Sequence, residues 1–442
     1  MTLALARCLE DPQSLWHELE GHWRCGSLVG LAPPQERPLL TAAVLGRPAA
    51  LDHHTLPAPW RNDGEPAERW GAALVFGSGG SSGGRRWCLQ PLSQLQASAR
   101  ACGLWLEALG LDPGRCLLLD ALPLHHVSGL MPLIRARQWQ AELRWLAPGL
   151  LRHGAELAQA CPLPGDRPVL LSLVPTQLQR LLDSPEASDW LLRCALIWVG
   201  GASLSPQLAA RARRAGLPLA PCYGATETAA MVCALPPQRF LAGEQGCGPP
   251  LNDVTLRLED GSGSIAVRSD RISPGWLEAG QLHPFRDADG WWRSGDAGRW
   301  IAAADSGSGA SLAIDGRLDG ALLSGGETVF PEQLEQRLQT LAAQAALPLE
   351  AVLLLGVPEE PWGERLAALV RPVPGADGEA LLRALRGLTA GWPPAQQPRR
   401  WWLCPELAPS EQGKWPRQHW RRWLEQAGPA QIGADGTTPR QG

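Results

Sequence analysis

Ala72-Ala73-Leu74-Val75-Phe76-Gly77-Ser78-Gly79-Gly80-Ser81-Ser82-Gly83-Gly84-Arg85-Arg86 joins a short apolar run to a loop made almost wholly of glycine and serine. The apolar residues Ala72 to Phe76 read as a buried β-strand bounded by glycine. A strand that empties into such a loop gathers backbone N–H groups and hydroxyls around a phosphate, and the two arginines add charge. It is not a Walker loop, because the Gly-Lys-Ser/Thr ending is missing. The same composition would serve a flexible linker; the strand before it and a helix predicted from about Ser93 favour a site.

Downstream, strands and helices alternate. Leu117-Leu118-Leu119 reads as a strand ending in Leu122-Pro123-Leu124-His125-His126-Val127-Ser128-Gly129-Leu130. Val169 to Val174 reads as another, followed by a helix from Pro175 to Leu182. Ala195 to Val199 ends in Gly200-Gly201, and Ser205-Pro206 supplies an N-cap and first-turn proline for a helix to about Ala215. This alternation predicts an α/β fold, a sheet covered on both faces, with ligands where the strands end. Upstream, residues 1 to about 70 are interrupted by proline, with short helical stretches and a loop from Pro57 to Glu68, and carry no recognisable chemistry.

Tyr223-Gly224-Ala225-Thr226-Glu227-Thr228 holds the single tyrosine of the chain. A small-residue turn with hydroxyls, one carboxylate and an aromatic face suits a nucleotide: ring for base, hydroxyls for phosphate, carboxylate for Mg2+. From Gly261 to Ala304 the pattern changes to short β segments with Gly and Asp turns, including Ser294-Gly295-Asp296, and Ala302 to Ser311 reads as a hairpin loop. Beyond Asp315-Gly316-Arg317-Leu318-Asp319-Gly320 lies a small α+β unit. Its parts are strand Ala321 to Ser324, a turn at Gly325-Gly326, a helix opened by Pro331, strands Ala351 to Val357 and Leu366 to Val370, a helix near Glu379 to Leu388 and strand Trp401 to Leu403. Three divisions follow: a large N-terminal domain over 1–318, a small C-terminal domain over 319–428, and a polar tail over 429–442 expected to be disordered.

Lys414, in Gly413-Lys414-Trp415-Pro416-Arg417 before a last helix, is the only lysine among 40 Lys+Arg. Wherever a plain cation would serve, this chain uses arginine. A compact ammonium on a thin stem reaches where a planar guanidinium does not, so a lysine kept against that bias points to a charge used in chemistry.

Composition sets the outer bounds. A chain of 442 residues exceeds one ordinary core, and 45% hydrophobic residues supply ample burial. Net charge is -4 and the arginines are scattered, which argues against a nucleic-acid surface. The Met1 to Arg7 run is too short for a signal peptide and nothing approaches the ~20 apolar residues of a membrane span, so the chain reads as cytoplasmic. Eleven cysteines without a C-x-x-C pair suit reduced thiols better than disulfides or zinc.

Taken in order, the Gly/Ser loop, Val199-Gly200-Gly201-Ala202, Tyr223 to Glu227, Ser294-Gly295-Asp296, Gly316-Arg317-Leu318-Asp319, Ser324-Gly325-Gly326-Glu327-Thr328-Val329-Phe330-Pro331 and Gly413-Lys414 resemble the adenylate-forming superfamily of acyl-CoA synthetases, luciferases and peptide-synthetase adenylation domains, over roughly residues 72 to 425. The resemblance implies a large N-terminal domain of helix-covered sheets with a β-rich subdomain and a small mobile C-terminal domain. It implies ATP, Mg2+ and CoA as co-reactants of a small-molecule carboxylate. Ser78, Gly80, Ser81, Ser82, Gly83 and Arg86 would hold the β- and γ-phosphates; Tyr223 with Gly224, and the Gly200-Gly201-Ala202 turn, would sandwich adenine; Thr226 would touch the α-phosphate and Glu227 would hold Mg2+. Asp296 and Arg317 would grip the ribose hydroxyls, Asp319 would be the hinge, and Lys414 would bridge the attacking carboxylate and the α-phosphate. One departure stands out. The family loop usually reads Thr-Ser-Gly-Ser-Thr-Gly-x-Pro-Lys, so here a hydroxyl and the Pro-Lys ending are lost, with Arg86 able to supply the charge.

Amino-acid-activating relatives carry an acid in the loop that here spans Leu122 to Gly129, and this loop has none; acyl- and aryl-CoA synthetases resemble it, including a histidine at His126. The short N-terminal part and the string Ser172-Leu173-Val174-Pro175-Thr176-Gln177-Leu178-Gln179-Arg180 look like the o-succinylbenzoate–CoA ligases of menaquinone and phylloquinone biosynthesis, whose substrate is an aromatic dicarboxylate. Arg180 is then either the guanidinium for the second carboxylate or a solvated helix residue. Another aryl- or short-chain acyl-CoA ligase, and a silent nucleotide-binding scaffold, are the competing readings.

Overall fold

The computed structural model describes residues 2–45, 54–55, 71–79, 85–261, 263–302, 309–324, 327–360, 362–409 and 415–427. Expectations on Gly80 to Gly84, on the 303–308 hairpin loop, on Gly325 and Gly326, on Lys414 and on the 429–442 tail fall outside these residues.

The parallel sheet predicted from the alternating pattern is six-stranded, in the order Ala230–Ala234, Leu219–Ala225, Leu196–Val199, Val169–Leu173, Leu117–Asp120 and Glu142–Trp145. All neighbours are parallel except the first pair. Its inner strands Leu117–Asp120, Val169–Leu173 and Leu196–Val199 are nearly continuous apolar runs because both faces are covered. One face packs Leu171, Leu173, Ile197 and Val199 against helices Pro175–Leu182, Pro185–Leu192 and Pro206–Arg214. The other packs Leu170, Leu196 and Trp198 against Leu92–Ala108 and Val127–Trp139.

Those two helices also cover a second sheet on their far side, where Leu95, Ala99, Leu130 and Ile134 meet Val29, Leu74 and Phe76. This sheet runs Gln281–His283, Gly275–Glu278, Arg85–Pro91, Ala73–Gly79, Ser27–Leu31, Thr2–Leu5, His54–Thr55. Two of these pairings depart from the sequence reading. Thr2–Leu5 and Ser27–Leu31 are parallel strands inside the first 70 residues, although proline-rich surroundings and lengths of four and five residues leave no period to read. The helix expected from about Ser93 is present as Leu92–Ala108, but between it and the Gly/Ser loop stands a strand not read from the sequence, Arg85–Pro91, antiparallel to Ala73–Gly79.

The β-rich segment is a four-stranded antiparallel sheet, Thr255–Leu258, Ser264–Arg268, Trp292–Ile301, Ser311–Arg317. The smaller C-terminal part is a five-stranded sheet built on the Leu349–Glu359 and Gly363–Pro372 hairpin, with helices Pro331–Gln344 and Gly378–Thr389 on one face and Arg417–Gln426 on the other. The predicted elements of this part lie within a few residues of these bounds. Among the described residues no helix is long and apolar enough to cross a membrane.

Candidate active site

Because the strands of the six-stranded sheet run in parallel, the segments leaving them share one edge. Along it stand Tyr223 and Gly224, then Gly200 to Ala202, then Ser172 and Val174, then the Leu122 to His126 loop. The glycines there are needed for close approach. A Cβ on Gly200 would lie 2.8 Å from Cys222 Sγ, one on Gly224 would lie 2.1 Å from the Ala230 carbonyl oxygen, and Gly201 has φ of +79°. The strand Leu219–Ala225 bulges between Tyr223 and Gly224 and runs into the single turn Thr226–Thr228. His126 precedes the first turn of Val127–Trp139, its ring 4.4 Å from that of His125. Ser172 is half-buried and Arg180 exposed in the last turn of its helix.

On one side of Tyr223 the β-rich sheet contributes a clamp. Asp296 and Arg317 are partners on neighbouring strands. Tyr223 Oη donates to Asp296 Oδ2 at 2.6 Å, and Arg317 Nη1 donates to Asp296 Oδ1 at 3.2 Å. Arg317 Nε and Nη2 also donate to Asp319 Oδ1 and Oδ2 at 3.2 and 3.1 Å. Burial pushes the Asp296 carboxyl up, with Tyr223 and Arg317 working against that rise. Burial, then the neighbouring Asp296, pushes the Tyr223 phenol well up. Burial works against the Arg317 charge, but Asp319 and Asp296 overcome it and hold the guanidinium protonated. Each carboxylate oxygen has a second lone pair, so the clamp can still accept from a hydroxyl.

On the other side lies the root of the Gly/Ser loop. Ser78 and Arg86 face each other across the hairpin, with Ser78 Oγ donating to the Arg86 carbonyl at 3.5 Å. The turn Thr226–Thr228 is tied to the same sheet at three points. Gln90 Nε2 donates to the Thr226 carbonyl at 2.6 Å, Ser273 N donates to the Glu227 carbonyl at 2.8 Å, and Trp276 Nε1 donates to Glu227 Oε1 at 3.2 Å. The structure therefore brings Ser78, Arg86, Thr226 and Glu227 into one group, and Tyr223, Asp296, Arg317 and Asp319 into an adjoining one. Gln90, Ser273 and Trp276 carry no motif. Only Trp276, in a Pro-Gly-Trp string, offered even a composition cue.

Among the described residues no cluster of three or more His, Cys, Asp or Glu could cage a metal. The lone buried Glu227 carboxylate beside a phosphate-type loop is instead the donor set that suits Mg2+, which takes one or two carboxylates and completes its shell with water and phosphate oxygens. In the C-terminal part, Arg417 Nη2 donates to both oxygens of Glu335 at 2.9 Å and Nη1 to the Leu354 carbonyl at 2.8 Å. Its Nε is 3.6 Å from Glu332 Oε1, and Glu332 Oε2 lies 3.1 Å from where a Cβ on Gly316 would sit, beside Arg317.

Known proteins resemble this chain in sequence and in fold. The 2-succinylbenzoate–CoA ligase of Enterococcus faecalis is 27% identical over 308 residues, covering 68% of this chain and 59% of the relative; that of Salmonella typhimurium is 30% identical over 310 residues, covering 69% and 60%. These matches span about three-fifths of the relatives' own length. Among solved structures, the o-succinylbenzoate CoA synthetase of Bacillus subtilis in complex with the acyl-adenylate intermediate OSB-AMP superposes with a TM-score of 0.71 over 97% of this chain and 89% of its own, at 17% identity. Wild-type E. coli MenE gives 0.67 over 96% and 88%, at 23% identity. The model of the AMP-binding enzyme family matches residues 35–277, more than half of the sequence and the stretch that holds Ser78, Arg86, Gly200, Tyr223, Glu227 and Trp276, so the chain belongs to the AMP-binding, adenylate-forming enzymes.

Proposed function

We propose that this protein is an AMP-forming acid–thiol ligase that activates o-succinylbenzoate as its acyl-adenylate and passes it to CoA. The observation that carries the reading is that one strand end bears both Tyr223, bonded to Asp296, and, in the turn that follows it, Glu227, bonded to Trp276. A base on Tyr223 would put ribose at Asp296 and Arg317 and the phosphates towards Ser78, Arg86 and Thr226. Gly80, Ser81, Ser82 and Gly83 would supply further donors. Bound at Glu227, Mg2+ would neutralise phosphate charge. The ammonium of Lys414 would offset the repulsion between the attacking carboxylate and the α-phosphate in an in-line displacement. Pyrophosphate leaves, and the thiol of CoA then attacks the acyl carbon and expels AMP.

The division into 1–318, 319–428 and a short tail serves this two-step scheme, with Asp319 as the hinge on which the small domain withdraws Lys414 and brings the Ser324 to Gly326 side to the thioester step. The choice of acid rests on the names of the curated relatives and on the lack of an acidic residue between Leu122 and Gly129. His126 and Ser172 would border the acyl group, and Arg180 would meet the second carboxylate directly or through water. Menaquinone or phylloquinone biosynthesis in the cytoplasm is the corresponding setting.

The test is AMP release with ATP, Mg2+ and CoA across o-succinylbenzoate, benzoate, medium-chain fatty acids and amino acids. Turnover of o-succinylbenzoate alone is expected. Preference for another acid would move the protein to a different aryl- or acyl-CoA ligase, and ATP binding without turnover of any acid would identify a scaffold.

A further inference from the structure

Trp276 stands between two opposite charges. It lies on Gly275–Glu278, antiparallel to Arg85–Pro91 and opposite Cys88. Its Nε1 donates to Glu227 Oε1 at 3.2 Å, and the guanidinium carbon of Arg86 sits 4.6 Å from its ring centroid. Phe285 packs at 4.5 Å and is itself 6.0 Å from Trp292, so the indole is held by rings behind it. Arg86 is exposed and Glu227 buried. An arginine and a glutamate that reach the same side chain could pair through a fork of hydrogen bonds, which would occupy the carboxylate oxygens and the guanidinium donors together. Among the described residues no Arg86–Glu227 pair forms; each charge is engaged by the indole instead, Glu227 by its edge and Arg86 through its face.

We propose that Trp276 is a positioning residue that keeps Arg86 and Glu227 apart, leaving the guanidinium for nucleotide phosphate and the second glutamate oxygen for the accompanying Mg2+. This rests on the ATP-dependent activity proposed above. Two properties of the side chain are separable: the N–H orients Glu227, and the ring bulk blocks the ion pair.

Calorimetric titration of the full chain with ATP, at zero and at graded Mg2+, reads both without any acid substrate. Trp276→Phe keeps the ring and loses the donor. Its metal-free ATP affinity should match wild type while the Mg2+ concentration for half-maximal enhancement rises about ten- to a hundredfold, the loss of one hydrogen bond to a charged group. Trp276→Leu removes the barrier as well, so metal-free ATP affinity should also fall, about tenfold, as Glu227 captures Arg86. Adding Glu227→Gln to Trp276→Leu should then restore most of that metal-free affinity, which a merely structural defect would not do. Identical Mg2+ dependence in Trp276→Phe and wild type overturns the proposal while ATP-dependent chemistry stands. Absence of rescue in the double variant overturns it equally, and a Trp276→Leu chain that does not fold leaves the Phe variant to decide. A wild-type protein that binds no ATP with or without Mg2+ takes down both readings.

Discussion

Asp120 closes the strand Leu117–Asp120 with its side chain fully buried. Its Oδ1 accepts from the Leu122 N–H at 3.2 Å, at the start of the loop that carries His126, while Oδ2 has no hydrogen-bond partner among the described residues. Burial pushes this carboxyl well above the ordinary range, against the opposing pull of the Leu122 N–H and of Arg135. The sign of the consequence is fixed by linkage. In the unfolded chain the group titrates near ~4; above that pH the native state retains a proton that the unfolded state has released. Stability therefore falls as pH rises from about 4 through the folded value and stays lost beyond it. Asp120→Asn keeps the acceptor for Leu122 and removes the titration. The variant should match wild type near pH 4 and become progressively more stable than it towards pH 8, by about 1.4 kcal/mol for each unit of the native shift. Chemical denaturation at several pH values reads this directly, and a stability difference that does not change with pH would show that Asp120 is not protonated in the native state.

Elements, more than single side chains, decide what a sequence discloses. Glycine at the bulge between Tyr223 and Gly224 is required by the Ala230 carbonyl 2.1 Å from where a Cβ would sit. Backbone cannot yield there as a side chain would, so Gly224→Ala should destabilise by ~2 kcal/mol or more and raise the KM for ATP by moving Tyr223 off Asp296. Gly387, inside the helix Gly378–Thr389 with open space around it, is the contrast. Gly387→Ala should add roughly 0.5–1 kcal/mol, with ATP KM unchanged. Thermal melts and initial rates on the two variants separate a steric need for glycine from mere tolerance of it. The same distinction explains what could be read beforehand. Tyr223, Glu227, Asp296 and Arg317 stand in short strings whose glycines and hydroxyls announce them in the sequence, although only Glu227 lies in a turn and the other three lie on strands, and the alternating strands and helices announce the edge at Tyr223. The strand Arg85–Pro91 and the first two strands are short and lack alternation, so their pairing is decided by tertiary contacts. Trp276 and Gln90 reach Glu227 and Thr226 across 49 and 136 residues of chain, and nothing local to either marks a site.

At the scale of the molecule one polar path runs from the large part into the small one. Tyr223 donates to Asp296, Asp296 pairs with Arg317, the Glu332 carboxylate lies against Gly316 next to Arg317, and Glu332 also lies beside Arg417, which Glu335 grips with both oxygens. Arg317 precedes the proposed hinge at Asp319, whereas Glu332 and Arg417 follow it, so the link at Glu332 spans the joint on which the small domain would turn. Arg417 is three residues beyond Lys414. If the lysine serves only the first half-reaction, Lys414→Ala should lower adenylation by about 10²–10³ while thioester formation from a supplied acyl-adenylate survives. Glu332→Ala removes no reacting group. Because it loosens the link that holds the small domain against the Asp296–Arg317 pair, it should lower adenylation in the same direction by a smaller factor, about tenfold, the equivalent of one charge-assisted contact. Rapid-quench measurement of pyrophosphate release, set beside thioester formation from synthetic acyl-adenylate, resolves the two steps. Equal loss in both for Lys414→Ala would contradict the division of labour between the arrangements. Equal loss in both for Glu332→Ala would make its contact with Gly316 a general support of the fold, since a link that holds only the adenylating arrangement has no part in the step that follows its release.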